Sequence, residues 1–138
     1  MTALDTNVLV RHLVQDVPEQ AEAARELLAG LTTEAPGFIG REVTIETVWV
    51  LERSYRFSRS QISDILEELT AAEGLVFEAG DDVARAALRF REGGPDFADL
   101  MILAAAERVG ANPLYTFDRR FARSTDAVLI ETDDRNID

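Results

Sequence analysis

Short apolar runs alternate along the chain with longer stretches in which apolar residues recur at helical spacing. The short runs predict strands at Thr2–Leu4, within Ala35–Ile39, and at Leu75–Phe77, Leu114–Phe117 and Ala127–Ile130. The longer stretches predict helices at Val8–Val14, at Glu19–Leu31, at Glu42–Tyr55, between Ser58 and Gly74, between Asp81 and Gly93, and from Pro95 to Gly110. Phe121 ends a polar turn. Strands that alternate with helices are typical of a parallel sheet covered on both faces, so the pattern predicts one α/β domain.

Acidic residues stand where this pattern ends a strand or begins a helix. Asp5 and Asp118 follow predicted strands, and Asp96 and Asp99 lie at the start of a predicted helix. In an open parallel sheet such positions share one edge, where ligands bind. We therefore expect these carboxylates to converge.

Glu46 is a carboxylate on an otherwise apolar helix face. It shares that face with Val43, Val50 and Arg53, because residues three and four apart are neighbours on a helix. Burying a charge without a partner is expensive, so the pattern favours either a function for Glu46 or an ion pair with Arg53. We therefore expect Glu46 to lie beside the acids at the predicted sheet edge.

The composition excludes several kinds of chemistry. All fourteen basic residues are arginines, and cysteine is absent. This removes Schiff-base chemistry, phosphate-loop lysines, thiolate zinc sites and cysteine nucleophiles. The lone His12 cannot form a histidine-rich metal site, and we expect it to be a surface or packing residue. No apolar run is long enough to span a membrane, so we expect a cytoplasmic protein.

The formal net charge of −12 does not favour nucleic-acid binding, which depends on phosphate contacts. Local groups of arginines could still bind phosphates inside an acidic protein, because a guanidinium presents its donors as a fork. Two groups lie close in sequence: Arg41, Arg53, Arg56 and Arg59, and Arg119, Arg120 and Arg123. A solvated charged surface explains either group equally well.

Grouped carboxylates raise one another's pKa unless a positive charge lies between them. With no lysine or cysteine, a hard divalent cation is the economical counter-charge, and Mg²⁺ or Mn²⁺ suits carboxylate and water ligands. Such an ion can activate water and stabilise charge on a phosphate. Single residues also have structural explanations: Asp96 and Asp99 fit a capping box, and Asp118 fits a turn.

Four segments in succession resemble the motifs of the PIN-domain nucleases. They are Leu4–Arg11, Thr44–Arg53, Asp96–Ile102 and Thr116–Phe121. The resemblance covers essentially the whole chain, and four spaced motifs are far more specific than any one of them. Within the family, the chain most resembles the VapC toxins of bacterial toxin–antitoxin pairs.

The resemblance implies a three-layer α/β/α fold with a five-stranded parallel sheet over residues 1–132, followed by a polar tail at 133–138. It also implies a Mg²⁺- or Mn²⁺-dependent endoribonuclease that hydrolyses RNA with metal-activated water. Such toxins are usually homodimers, and a small VapB-type antitoxin holds them inactive.

Carried over position by position, the resemblance assigns Asp5 and Asp99 as central metal ligands. Glu46 and Asp118 would complete the catalytic acidic pocket, and Asp96 matches an extra acid found in only part of the family. Supporting polar positions are Thr6, Asn7 and Thr116. The hypothesis that arginines flank the pocket and bind RNA concerns Arg53, Arg56, Arg119 and Arg120.

Other classes of protein remain open. One is a PIN nuclease that processes RNA and has no antitoxin, and another is a catalytically silent PIN-fold protein that only binds a partner. A phosphohydrolase of the haloacid-dehalogenase type would need a second aspartate where Asn7 stands, and it would also need a lysine. A receiver-type phosphoacceptor domain fails because lysine is absent.

Overall fold

The computed structural model describes residues 1–132, which form seven helices and five short strands. The strands are β1 (Thr2–Ala3), β2 (Gly37–Ile39), β3 (Leu75–Phe77), β4 (Tyr115–Thr116) and β5 (Val128–Leu129). The helices are α1 (Thr6–Val14), α2 (Pro18–Ala29), α3 (Arg41–Arg53), α4 (Arg59–Ala71), α5 (Gly80–Arg91), α6 (Phe97–Arg108) and α7 (Arg119–Ser124). The predicted polar tail at 133–138 lies outside the described residues.

Helix ends follow local chemistry. Ser58 caps α4 in a capping box: its Oγ accepts from the Gln61 backbone N–H at 3.1 Å, and Gln61 Oε1 accepts from the Ser58 N–H at 2.8 Å. Pro18 lies in the first turn of α2, where a missing N–H costs nothing. The predicted polar turn around Phe121 is instead the short helix α7, which Asp118 caps.

All strand pairs are parallel, as the alternation of strands and helices predicts. The prediction of one five-stranded sheet is wrong, because β1, β2 and β3 form one sheet in that order and β4 pairs only with β5. Strands of two or three residues make few hydrogen bonds, so apolar runs show where strands lie but not which edges meet. The α/β class is confirmed.

The larger core joins α3, α4, α5 and α6 around fully buried side chains such as Ile62, Val83, Phe90 and Met101. Helices α4 and α5 pack most extensively, followed by α1 against α2. Leu4, Leu9 and Ile39 form a second cluster beside β1 and β2. None of the helices described over residues 1–132 has the length and apolar character needed to cross a bilayer.

The buried face of α3 is not the one that its large apolar residues predict. Two threonines, Thr44 and Thr47, are buried together with Val48 and Leu51, whereas Trp49 is 56% exposed. Glu46 therefore lies at the surface, and the expectation that it shares a well-buried face is wrong. Threonines in the buried positions hid the helical repeat.

Asp82 is a buried carboxylate that three arginines share. It lies in the first turn of α5 and is 6% exposed. Its Oδ1 accepts from Arg85 Nη2 at 2.7 Å, Oδ2 pairs with Arg108 Nη2, and Arg41 Nη1 lies 3.9 Å away. A buried carboxylate is tolerated when it is paired, so this cluster ties α3, α5 and α6 together.

The two buried threonines of α3 give a matched test of the core. Thr47 Oγ1 is buried and has no hydrogen-bond partner among the described residues, whereas Thr44 Oγ1 donates to the Gly40 carbonyl at 3.2 Å. We expect Thr47→Val to raise the free energy of unfolding by about 1 kcal/mol, because it removes an unpaired buried hydroxyl. Thr44→Val should lower it. Urea unfolding of both variants checks this, and equal effects would contradict it.

Candidate active site

Asp5 lies directly after β1, at the position that caps α1. Its Oδ1 accepts from the Thr6 backbone N–H at 2.7 Å, which fixes the carboxylate at the start of the helix. Thr6 is buried, whereas Asp5 and Asn7 are exposed. The cap uses one carboxylate oxygen, so the other remains available to a ligand.

Asp5 and Glu46 line the same open cavity of about 260 Å³ between α1 and α3. Val10 and Val50 provide its apolar surface, and Asn7 lies on its wall. The structure thus brings together two of the predicted acids, one directly before α1 and one within α3. A larger cavity, of about 850 Å³, runs along α5 and α6, and none of the five predicted site acids lines it.

Asp96, Asp99 and Asp118 form a second acidic group, at the starts of α6 and α7. Partial burial raises the pKa of the Asp99 carboxyl above its ordinary value of 3.8, and the negative charges of Asp96 and Asp118 raise it further. A hydrogen bond with the Asp96 backbone acts in the opposite direction. Asp99 is therefore close enough to Asp96 and to Asp118 for their charges to act on its carboxyl.

Asp118 is held by two local hydrogen bonds. Its Oδ1 accepts from the Phe121 backbone N–H at 3.0 Å, and its own backbone N–H donates to Thr116 Oγ1 at 3.0 Å. Thr116 thus shapes the turn that carries Asp118. Asp118 thus lies in a turn, as the sequence suggests, and it also caps α7 through one carboxylate oxygen.

Asp96 occupies the cap position of α6, but its side chain makes no capping hydrogen bond. Instead it accepts from Arg59 Nη2 at 3.4 Å. The prediction that Asp96 begins the helix is confirmed, but the predicted capping hydrogen bond of its side chain is wrong, since its carboxylate pairs with Arg59.

The predicted acids form two groups, Asp5 with Glu46 and Asp96 with Asp99 and Asp118. Within residues 1–132, no three histidine, aspartate or glutamate side chains lie close enough together to hold a metal ion by themselves. The donors in both groups are carboxylate oxygens, the ligand type that hard divalent cations prefer. The repulsion at Asp99 is the kind that a bound cation relieves.

Arg59 fixes the turn that precedes α6, and the sequence did not reveal this role. Its guanidinium donates to three backbone carbonyls, those of Phe90 at 3.2 Å, Pro95 at 3.0 Å and Gly94 at 3.3 Å. It also lies over the Phe90 ring, 4.3 Å from the centroid. Gly93 and Gly94 both have φ of +92°, which favours glycine. The direction of α6, and hence the place of Asp99, depends on this turn.

Some arginines of the two groups predicted from the sequence donate to backbone carbonyls, and the others are exposed to solvent. Arg41 donates a hydrogen bond to the Met101 carbonyl at 2.9 Å, and Arg59 donates to the Pro95 carbonyl at 3.0 Å, so both side chains are engaged within the protein. By contrast, five members of these groups are exposed and form no ion pair within the described residues: Arg53, Arg56, Arg119, Arg120 and Arg123. Two of them end or follow α3, and three lie in α7, which begins directly after Asp118.

Arg11, which sequence reasoning left without a role, lines the cavity beside Asp5 and Glu46. Its position four residues after Asn7 on α1 is the only signal that could have indicated this. Asp16 and Tyr55 hold its side chain, as does Gln20. The cavity therefore has an acidic wall and one cationic wall.

The sequence profile of the PIN domain family matches residues 2–127. The chain belongs to the PIN domain family, which confirms the resemblance drawn from its four motifs. It is similar to a VapC ribonuclease from Aquifex aeolicus (strain VF5), with 27% identity over 124 residues that make up 89% of this chain and 91% of that protein. No solved structure matches the chain significantly. These relationships support a nuclease of the hydrolase class.

The raised pKa of Asp99 predicts how stability changes with pH. When the pKa of an acid is higher in the folded state than in the unfolded chain, the free energy of unfolding falls as pH rises above the unfolded pKa, here about 3.8. We therefore expect Asp99→Asn to be more stable than the wild type at pH 7 without divalent cations, and the difference should shrink below pH 4. The gain should stay below about 1 kcal/mol, because solvent screens a partly exposed carboxyl.

Thermal unfolding with a chelator, between pH 3 and pH 8, measures this difference. Asp126→Asn is the matched control, since Asp126 precedes β5 and so lies at the opposite edge of its sheet from Asp118. A less stable Asp99→Asn at pH 7 would assign Asp99 a structural role instead.

Proposed function

We propose that this protein is a Mg²⁺- or Mn²⁺-dependent endoribonuclease and the toxin of a VapBC-type toxin–antitoxin pair. The observation that carries the proposal is the match of the PIN domain family to residues 2–127. Asp99 supports it, because partial burial and the charges of Asp96 and Asp118 raise the pKa of its carboxyl. Asp5 and Glu46 add two carboxylates that line one cavity between α1 and α3. The similarity to a VapC ribonuclease supports RNA as the substrate class.

Asp5 and Asp99 would be the central ligands of the cation, with Glu46 and Asp118 beside them. When bound, a divalent cation of this type lowers the pKa of water and stabilises negative charge on a phosphate. The chain's own residues then have separate tasks. The Thr6 backbone N–H holds the Asp5 carboxylate, Thr116 Oγ1 holds the backbone that presents Asp118, and exposed arginines attract the RNA.

Asp96 is a weaker candidate ligand than the other acids. Its Oδ1 accepts from Arg59, and its side chain is 60% exposed. We propose that it adds negative charge near Asp99 and, through Arg59, helps to hold the turn before α6. The four acids Asp5, Glu46, Asp99 and Asp118 remain the catalytic set.

Cleavage of total cellular RNA by the purified protein tests the proposal directly. With Mg²⁺ or Mn²⁺ we expect new, discrete 5′ ends that disappear with a chelator. Asp5→Asn and Asp99→Asn should lower the cleavage rate at least about a hundredfold, because each would remove a central ligand. Asp126→Asn should cleave at the wild-type rate. Mapping the 5′ ends of all samples provides the measurement.

Absence of these ends, in protein free of antitoxin that still binds Mn²⁺, would support the silent binding protein instead. Expression alone separates a toxin from an RNA-processing nuclease, because a toxin should arrest growth and Asp5→Asn should relieve the arrest. A small open reading frame directly upstream, whose product restores growth, would identify the antitoxin.

The exposed arginines give a second, independent test. Charge reversal of Arg119 and Arg120 together, and separately of Arg53 and Arg56, should raise KM for RNA about tenfold or more, because each pair would lose two phosphate contacts. The control is Arg25→Glu, since exposed Arg25 pairs only with the neighbouring Glu22 among the described residues. Unchanged RNA cleavage in both double variants would remove these arginines from the RNA-binding surface.

We propose two partners, a basic antitoxin that binds the acidic groups and a second copy of this chain that forms a homodimer. An acidic protein favours association with a basic segment through electrostatic complementarity. Large apolar side chains that stay exposed, among them Leu88 at 60% and Ile102 at 50%, leave area that a partner could cover.

A further inference from the structure

The cavity that contains Asp5 and Glu46 has a feature that the acids alone do not explain. Arg11, Ser54 and Tyr55 also line it, and Arg11 is the one cationic side chain among the described residues that do so. The cavity thus offers anion-binding donors directly beside carboxylates that are proposed to hold a cation. Its volume of about 260 Å³ is below the roughly 300–1,000 Å³ of typical small-molecule sites, so it suits a single nucleotide unit.

The Arg11 guanidinium is held by three side chains from separate parts of the chain. Nε donates to Gln20 Oε1 at 2.8 Å, and Nη1 donates to Asp16 Oδ1 at 3.1 Å and to the Tyr55 hydroxyl at 3.3 Å. The Tyr55 hydroxyl in turn donates to Asp16 Oδ2 at 2.6 Å. A long, flexible side chain is therefore fixed before any ligand arrives, which lowers the entropy that binding would cost.

One nitrogen of this guanidinium remains available. The contacts above use Nε and Nη1, while Nη2 makes no hydrogen bond within residues 1–132. The Arg11 side chain is 28% exposed, so its two remaining N–H donors have access to solvent. A planar guanidinium with free donors is well suited to bind a phosphate oxygen.

We propose that this cavity is a nucleotide subsite, in which Arg11 binds the RNA phosphate next to the one that is cut. The inference rests on the proposed function and adds a substrate-binding residue to it. Tyr55 and Asp16 act through Arg11 and are positioning residues. Fixing one phosphate beside Asp5 and Glu46 places the neighbouring phosphodiester bond against the acids.

The structural alternative is that Arg11 only joins α1 to the end of α3. Exposed ion pairs of this kind contribute roughly 0–1 kcal/mol, and such a role would not depend on RNA. The two roles differ in how RNA binding responds to salt. Each phosphate contact to a single strand contributes about 0.7 to the slope of log K against log salt concentration.

The test uses a labelled RNA oligonucleotide that spans a mapped cut, bound to protein in the uncleaving Asp99→Asn background. Fluorescence polarisation over a range of salt concentrations gives the affinity and its salt slope. Arg11→Met keeps the apolar stem and should lower affinity about tenfold, with a slope shallower by about 0.7. Arg11→Lys should restore the slope, since the charge returns. Arg25→Met is the matched control and should change neither quantity.

Tyr55→Phe separates positioning from charge. It removes both hydroxyl contacts but leaves the Arg11 charge, so affinity should fall while the salt slope stays at the wild-type value. In the cleaving protein, Arg11→Met should raise KM more than it lowers kcat, as expected for a residue that binds the substrate away from the reacting bond.

An Arg11→Met protein that folds and keeps the wild-type salt slope would overturn the subsite. A fall in kcat at constant KM would overturn it too. Failure of the proposed function looks different, because the wild-type protein would then yield no mapped cut at all. If Arg11→Met does not fold, the subsite stands when Tyr55→Phe loses affinity and falls when it does not.

Discussion

The turn in front of α6 is held by one guanidinium, and the acid site depends on it. Arg59 reaches from the start of α4 to three carbonyls of a turn with two left-handed glycines. Those carbonyls would otherwise have to meet solvent or stay unpaired, and an unpaired buried carbonyl costs roughly 1–3 kcal/mol. Phe90 under the guanidinium anchors the same contact to the core. Asp99 lies in the first turn of the helix that follows, so these contacts help to position it.

The positions of the exposed arginines matter more for binding a polyanion than the net charge of the protein does. A net charge of −12 spread evenly would repel a polyanion, but exposed Arg119 and Arg120 directly follow Asp118 in the chain, and exposed Arg53 lies on the same helix as Glu46. Arg41 and Arg59, by contrast, donate to backbone carbonyls. Local arrangement, not net charge, therefore decides whether a polyanion can approach.

The sequence predicted best what local chemistry determines. Bonds within three residues start α4 at Ser58, one of the two serines that the sequence offers as its cap, and similar bonds form the turn after β4 that carries Asp118. The sheet could not be predicted, because pairing of two-residue strands depends on distant edges. Thr44 and Thr47 hid the buried face of α3, which misplaced Glu46. The contacts of Arg11 and Arg59 join residues as far as 44 positions apart, and no spacing rule reaches that far.

Asp82 is one carboxylate shared by Arg41, Arg85 and Arg108, and this bears on how the family can diverge. Loss of the carboxylate would leave three guanidinium charges facing one another, and loss of a single arginine would change the balance for the other two. Substitutions at these four positions are therefore coupled. Among relatives they should change together or stay together, so a sequence that has replaced Asp82 with a neutral residue should also have replaced at least one of its arginines.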